Sequence, residues 1–330
     1  MTRFAARVLG DKDRQEWQAL WERSPRWLAH RWEYLDAAAT GVGRPVRLGI
    51  FSAAGQLAAG LVFVERPVRF LSAWRHPAPA PFAGLMAEDR ALSESTVRDW
   101  LGAAAEQIAR ETAMAEIVFQ PSMQDVRGLL WNGWEAKPYY NYTNSIDRDE
   151  ALREGAENSA RRQGKKAESA GIVVSLGGDE LWPGLEELNG AMRERNGLKP
   201  YVAPECFRQL SKWLRSEDAP ECHFACVASA LDPTGVAQAA GFFAGDSHRV
   251  YYLLGGSPDT DEGQGTGAPT LLHFAVTESI HRQRQEPFVY DWVGANTASV
   301  SRFKKNFRPQ LEVCQRTLWR RGLAKWAGGI

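Results

Sequence analysis

The sequence predicts an α/β chain of the α+β kind: two tandem copies of one unit, each a mixed, mainly antiparallel sheet flanked by helices. Three observations carry that expectation. The length of 330 residues suits two domains of roughly 150 residues each. Strand-like and helix-like periods follow one another in the same order in both halves. A short string also recurs at one place in that order, as Ala58-Ala59-Gly60 and as Ala239-Ala240-Gly241. The expected division is 1–147 and 148–330.

The first half opens with a strand at Phe4–Leu9 and a helix carrying Trp17, Leu20 and Trp21 at helical spacing, ended by Ser24-Pro25. A second helix runs from about His30 to Ala39, before Gly41. Val46–Phe51 and Leu57–Val64 read as a hairpin turning at Ser52–Gly55. A Pro-rich loop at His76–Gly84 continues no ladder. A long helix (Ser93–Thr112), a strand (Glu116–Gln120), a helix (Val126–Trp134) and a strand (Tyr139–Ser145) close the unit.

The second half begins with a basic helix at Asn158–Ser169 and a strand at Ile172–Ser175. Two helices follow, at Glu180–Arg195 and Pro204–Ser216. Three strands come next: Phe224–Ser229, Val236–Ala244 and Val250–Leu254. A helix at Thr270–Gln285, a strand at Phe288–Val293, a helix at Ala298–Asn306 and a strand at Leu311–Leu318 complete it.

Composition excludes several classes. Forty basic residues balance forty acidic ones, which argues against coating DNA through bulk charge and leaves a local basic groove open. No run of apolar residues is long enough to span a membrane. The charged stretch Asp11–Arg14 stands where a secretory signal would be apolar, so a cytoplasmic protein is expected. Cys206, Cys222, Cys226 and Cys314 have no zinc spacing and are expected as small buried hydrophobes. His273 and His281 lack ligand spacing, no metal site is expected, and Glu278 reads as solvated. The thirteen Trp are expected to pack cores and interfaces.

Three segments of the second half carry a family resemblance. They are Ser159–Val174 with its basic run; Ala240-Gly241-Phe-Phe with Val250–Gly256 and Ala268–Leu272; and Tyr290–Asn296 followed by Arg302–Phe307. Together with the element order they resemble the acyl-CoA N-acyltransferase (GNAT) fold. In tandem, they resemble the Fem-type aminoacyltransferases and the related acetyltransferase-like proteins of polysaccharide and cell-envelope biosynthesis. The resemblance implies a degenerate first domain and transferase motifs in the second. It implies an acyl- or aminoacyl-transferase with no tightly bound cofactor, whose donor is acyl-CoA or aminoacyl-tRNA. The acceptor would be an amine or hydroxyl of a small-molecule or lipid-linked sugar or peptide precursor, bound between the domains. The competing expectation is a catalytically silent GNAT scaffold that binds a sugar nucleotide or a partner protein.

One stretch departs from the acetyl-CoA pattern. Such proteins carry Arg/Gln-x-x-Gly-x-Gly/Ala, whose backbone N–H groups meet the pyrophosphate at a helix N-terminus. Here Gln264 and Gly267 fit, as cofactor-binding candidates, but Pro269 has no N–H to give. The departure favours the Fem-like branch.

The site candidates follow. In the Fem-type family the Lys of a Phe-Lys pair is assigned the stabilisation of the tetrahedral oxyanion, and Phe303-Lys304 matches that pair. The alternative for Lys304 is a solvated lysine in a basic run. Arg161, Arg162 and Lys165, with Lys166, form a stripe that an anion would relieve of its like-charge repulsion. The alternative is a solvated helix face. Asp291 ends an apolar strand, with Tyr290 and Asn296 near it expected, like Phe303 and the basic stripe, to bind substrate. It would take a proton from the attacking amine, orient a neighbour, cap the turn at Gly294 or pair with an Arg.

Overall fold

The structure is a computed structural model that describes residues 4–68, 71–88, 93–195, 197, 204–217, 219, 224–246, 248–258, 265–296 and 298–322. The chain forms two compact units: residues 1–139, 205–210 and 313–330, and residues 140–204 and 211–312.

The first unit is built from β1 (Phe4–Val8), α1 (Arg14–Arg23), α2 (Trp32–Ala39), β2 (Arg44–Ser52), β3 (Leu57–Val68), β4 (Leu71–Arg75), β5 (Met86–Ala87), α3 (Glu94–Glu111), β6 (Met114–Val118) and α4 (Arg127–Leu130). Strands β1 to β4 form an antiparallel meander, and β4 then runs parallel to β6. That parallel step requires a crossover, which α3 supplies. The Ser93 side chain caps α3 by accepting from the Thr96 N–H. Its Trp100, Leu101, Ala104, Ala105 and Ile108 enter a core with Leu48, Leu61, Phe63 and Trp74.

β4 is missing from the expected hairpin, and the reason is chemical. Pro67 and the surrounding arginines hide a strand in which only Ala73 and Trp74 are buried. The expected helix at 126–134 shrinks to α4, because Gly133 takes φ +79° and the Trp134 N–H closes back on the Leu129 carbonyl.

Next come β7 (Glu135–Ile146), α5 (Ala151–Gly155), α6 (Asn158–Ser169), β8 (Val173–Gly177), α7 (Trp182–Arg195), α8 (Pro204–Leu214), β9 (Phe224–Leu231), β10 (Ala237–Gly245), β11 (Arg249–Gly256), α9 (Ala268–Arg284), β12 (Phe288–Asp291), α10 (Ala298–Lys305) and β13 (Gln310–Arg320). In the second unit β8 to β11 repeat the antiparallel meander, and β11 runs parallel to β12 after the α9 crossover. The two recurring Ala-Ala-Gly strings fall on β3 and β10, the corresponding strands of the two meanders.

The compact units depart from a division at 147/148. β7 follows α4 in the chain, yet it pairs antiparallel with β12 and belongs from Tyr140 to the second unit. β13 follows α10, yet it pairs antiparallel with β6 and belongs from Val313 to the first. In each unit the strand after the crossover helix, β6 or β12, therefore pairs with a strand that the other half of the sequence supplies.

Among the described residues no helix is long and apolar enough to cross a membrane, and no group of three or more His, Cys, Asp or Glu is placed to hold a metal ion. Cys206, Cys226 and Cys314 are buried, while Cys222 lies outside the described residues. Glu278, expected in solvent, instead pairs with Arg153 at 2.8 Å, because α5 brings that cation to α9.

Candidate functional site

The parallel pairing of β11 with β12 ends at Tyr251 and Asp291. Beyond it β12 stops, and the chain turns through Trp292, Val293 and Gly294 before α10. The sequence-expected residues Asp291 and Lys304 meet at this turn.

Asp291 is wholly buried. Its Oδ2 accepts from Arg249 Nη1 at 2.6 Å, and its Oδ1 accepts from Asn141 Nδ2 at 2.9 Å and from the Val293 N–H at 2.8 Å. Arg249 also grips Glu312 with two bonds of 3.0 Å. Burial raises the Asp291 pKa, against the opposing pull of Arg249, Asn141 and the Val293 N–H. Burial also works against the Arg249 charge, but Asp291 and Glu312 outweigh it, so the guanidinium remains a firm cation. Of the four roles open to Asp291, it fills two: it pairs with an arginine and it ties down the turn.

Lys304 is not solvated. It is 5% exposed, and α10 carries its ammonium under the turn. Nζ donates to the Trp292 carbonyl, to the Gly294 carbonyl at 2.7 Å and to the Val293 carbonyl at 3.3 Å. Burial pulls its pKa down to about 8, with Asp291 resisting. The turn itself is strained: Val293, β-branched, has φ +53°, and Gly294 has φ +87°. Gly294 donates its N–H to Asn141 Oδ1 at 2.7 Å.

An aromatic cluster backs this turn. His273 Nδ1 lies 2.7 Å from the Tyr290 hydroxyl, and its ring is ringed by Tyr252, Trp292, Phe303 and Phe307. Burial, with Lys304 adding, lowers the His273 pKa to about 3, so the ring is neutral. Tyr290 is fully buried and Phe303 half-buried, both packing the floor of the turn. Asn296 is exposed and clasps the backbone of Tyr140 at both ends of its amide, at 2.9 Å each.

The basic helix lies apart in sequence but is tied to the end of α10. Glu157, at its N-cap, donates its N–H to the Asn306 carbonyl and pairs with Arg308 at 2.7 Å. Arg162 and Lys165 are exposed, while Arg161 turns inward to the Glu154 carbonyl and the Asn158 side chain. Lys166 donates to the Gly265 carbonyl at 3.0 Å.

Gln264 lies outside the described residues. Gly267, with φ +80°, caps α9, and a Cβ there would stand 2.1 Å from the Gln163 carbonyl oxygen. The backbone at this helix start faces α6. The Ala268 N–H is taken by Thr266 Oγ1 at 3.2 Å, Pro269 has none, and the Leu271 N–H bonds to the Gly267 carbonyl.

The sequence alone singled out Asp291 and Lys304 but passed over Arg249 and Asn141. Arg249 was marked in it, as the one charged residue of Arg249–Gly256, whereas only the structure shows that Asn141 is wholly buried on β7. The signal missed was that parallel pairing sets two lone charges of apolar strands, Arg249 and Asp291, within reach.

No family model and no curated protein matches the sequence. Solved structures do. FemX is similar at 13% identity and TM-score 0.65, over 94% of this chain and 96% of that one. A tandem GNAT protein from the clavulanic acid biosynthesis pathway matches at 14% identity and TM-score 0.55, over 97% and 98%. L-PGS from Bacillus licheniformis matches at 11% and 0.54, over 93% and 91%. The chain has the tandem GNAT fold, like that of FemX.

Proposed function

We propose that this tandem GNAT chain is an acyl- or aminoacyl-transferase. It moves an acyl group from an activated ester or thioester to an amine or hydroxyl of a cell-envelope or polysaccharide precursor. The observation that carries the reading is the turn after β12. There, where the parallel strands part, a buried ammonium and a buried carboxylate–guanidinium pair converge on a strained backbone segment. Strain held by surrounding side chains is a mark of functional sites. The likeness to FemX and to L-PGS supports the same class of chemistry and a precursor of the envelope as acceptor.

The start of α9 favours aminoacyl-tRNA over acyl-CoA as donor. A pyrophosphate needs successive free N–H groups at a helix N-terminus. Here the Ala268 N–H is taken by Thr266 and Pro269 has none, so two adjacent positions of the first turn offer nothing, and Gly267 is pressed against Gln163. The exposed Arg162 and Lys165 are suited to the phosphates of donor or acceptor.

The test supplies the chain with labelled acetyl-CoA in one arm and a labelled aminoacyl-tRNA mixture in another. Pooled nucleotide-sugar and lipid-linked peptide precursors serve as acceptors, and transferred label is read by mass spectrometry. Transfer in the tRNA arm is expected. Label in neither arm removes the transferase reading. A second reading, a silent module binding a sugar nucleotide, is favoured by the commitment of all three Lys304 protons to carbonyls. It predicts a thermal shift with sugar nucleotides and no product.

A further inference from the structure

The geometry points to Lys304 as a positioning residue: its ammonium is a tethered monovalent cation that gathers three consecutive carbonyls and holds the turn after β12 in its strained form. An ammonium has three protons and no acceptor. Here they go to the carbonyls of Trp292, Val293 and Gly294, which leaves none for a substrate oxyanion in this state.

The backbone argues the same way. Three neighbouring carbonyl dipoles aimed at one point repel each other unless a cation sits there, as carbonyl rings around a potassium ion do in channels. Two consecutive residues of the turn, Val293 and Gly294, hold positive φ. A valine does not keep that conformation without surrounding restraint. The restraint is complete on the N–H side as well, because Asp291 and Asn141 take the Val293 and Gly294 protons. Lys304 is the cationic part of the clamp.

The groups facing this ammonium come from every element packed on it. They are Asp291 on β12 with its partners Arg249 on β11 and Glu312 on β13, and His273 on α9, neutral in the folded state. Arg302 and Lys305 on α10 itself point outward and are exposed. Loss of the Lys304 proton removes the charge and one donor together, and the burial that lowers its pKa places that event within reach of mild base. The oxyanion would then be stabilised by other donors that the held turn sets in place. That last step rests on the transferase reading; the clamp does not.

The test is amide hydrogen exchange on the full chain, corrected to protection factors. In the wild type, protection at Val293 and Gly294 is expected to fall at least about tenfold between about pH 7 and about pH 9.5, while sheet amides such as Leu61 and Phe242 hold. In Lys304→Ala the turn amides are unprotected throughout, and methylammonium at about 0.1 M, which fits the vacated cage, restores them. Turn protection that ignores pH in the wild type overturns the proposal, and so does protection that survives in Lys304→Ala. If the alanine variant does not fold, the wild-type titration decides alone. An activity arm separates the two readings. Rate lost in Lys304→Ala with the turn still protected assigns the lysine to the oxyanion and overturns the clamp. A wild type that transfers nothing, yet shows the exchange pattern, removes the transferase reading and supports the clamp.

Discussion

Arg249→Met isolates the buried charge pair beneath the turn. In the wild type Asp291 is fully buried, and its ionised form rests on Arg249 at 2.6 Å, on Asn141 and on the Val293 N–H. Methionine keeps most of the volume and deletes the cation. Two unit charges about 4 Å apart interact by about 4 kcal/mol at the effective dielectric suited to protein sites. Removing one partner of a buried pair generally costs about 3–5 kcal/mol. The variant should therefore lose about 3–5 kcal/mol from the second unit, read by urea-gradient proteolysis of fragments from residues 140–312. The sign of its pH dependence is also fixed. A buried carboxyl without its cation has a folded pKa above the unfolded value, so the native state binds the extra proton and the deficit shrinks as pH falls. Asp291→Asn leaves Arg249 with its two bonds to Glu312 and should cost less, about 1–3 kcal/mol. An Arg249→Met variant within about 0.5 kcal/mol of wild type at neutral pH would show that the pair is solvated and the reasoning wrong.

Two further outcomes follow from neutral histidines and from one glycine. His30 and His273 are held neutral by burial, with folded pKa values of about 4 and about 3, below the unfolded value of about 6.5. Their contribution is complete above that unfolded value and is lost as pH falls through it, by about 2 kcal/mol each at about pH 5. Urea midpoints at neutral and acid pH should show this loss, and a His273→Gln variant with an unchanged pH slope would contradict it. Gly267→Ala sets a Cβ 2.1 Å from the Gln163 carbonyl oxygen at φ +80° and should cost about 2–4 kcal/mol, measured as a drop in Tm. A neutral result would mean that α6 and the start of α9 are not in close contact.

The duplicated order was legible because each unit repeats the same hydrophobic periods, and Ala-Ala-Gly marked corresponding strands without any alignment. β4 was not legible: Pro67 and the surrounding arginines broke the alternation that a strand reading depends on. The site was half legible. Asp291 stood out as a charge on an apolar strand, and Lys304 through the resemblance of Phe303-Lys304 to the Fem-type pair. Their environment did not, because it depends on which strand lies beside β12. The pairing of β7 with β12, which brings Asn141 to Asp291, joins residues 150 apart in the chain. No local period encodes that distance. A solvated surface stood as the alternative for the basic run at 302–308 because sequence cannot say that α10 turns Lys304 inward and leaves Lys305 outside.

The exchange of closing strands also sets a timetable for synthesis. Thr317 on β13 donates to the Ile117 carbonyl on β6, a partner 200 residues earlier in the chain. At about 5–20 residues per second, β6 emerges from a ribosome about 10–40 s before the strand that covers it. During that interval the first unit carries an open sheet edge beside an apolar core, the condition under which nascent chains pair wrongly. A chain released before β13 leaves that edge exposed on a strand made long before it. A strand made 200 residues later thus governs whether β6 can finish folding.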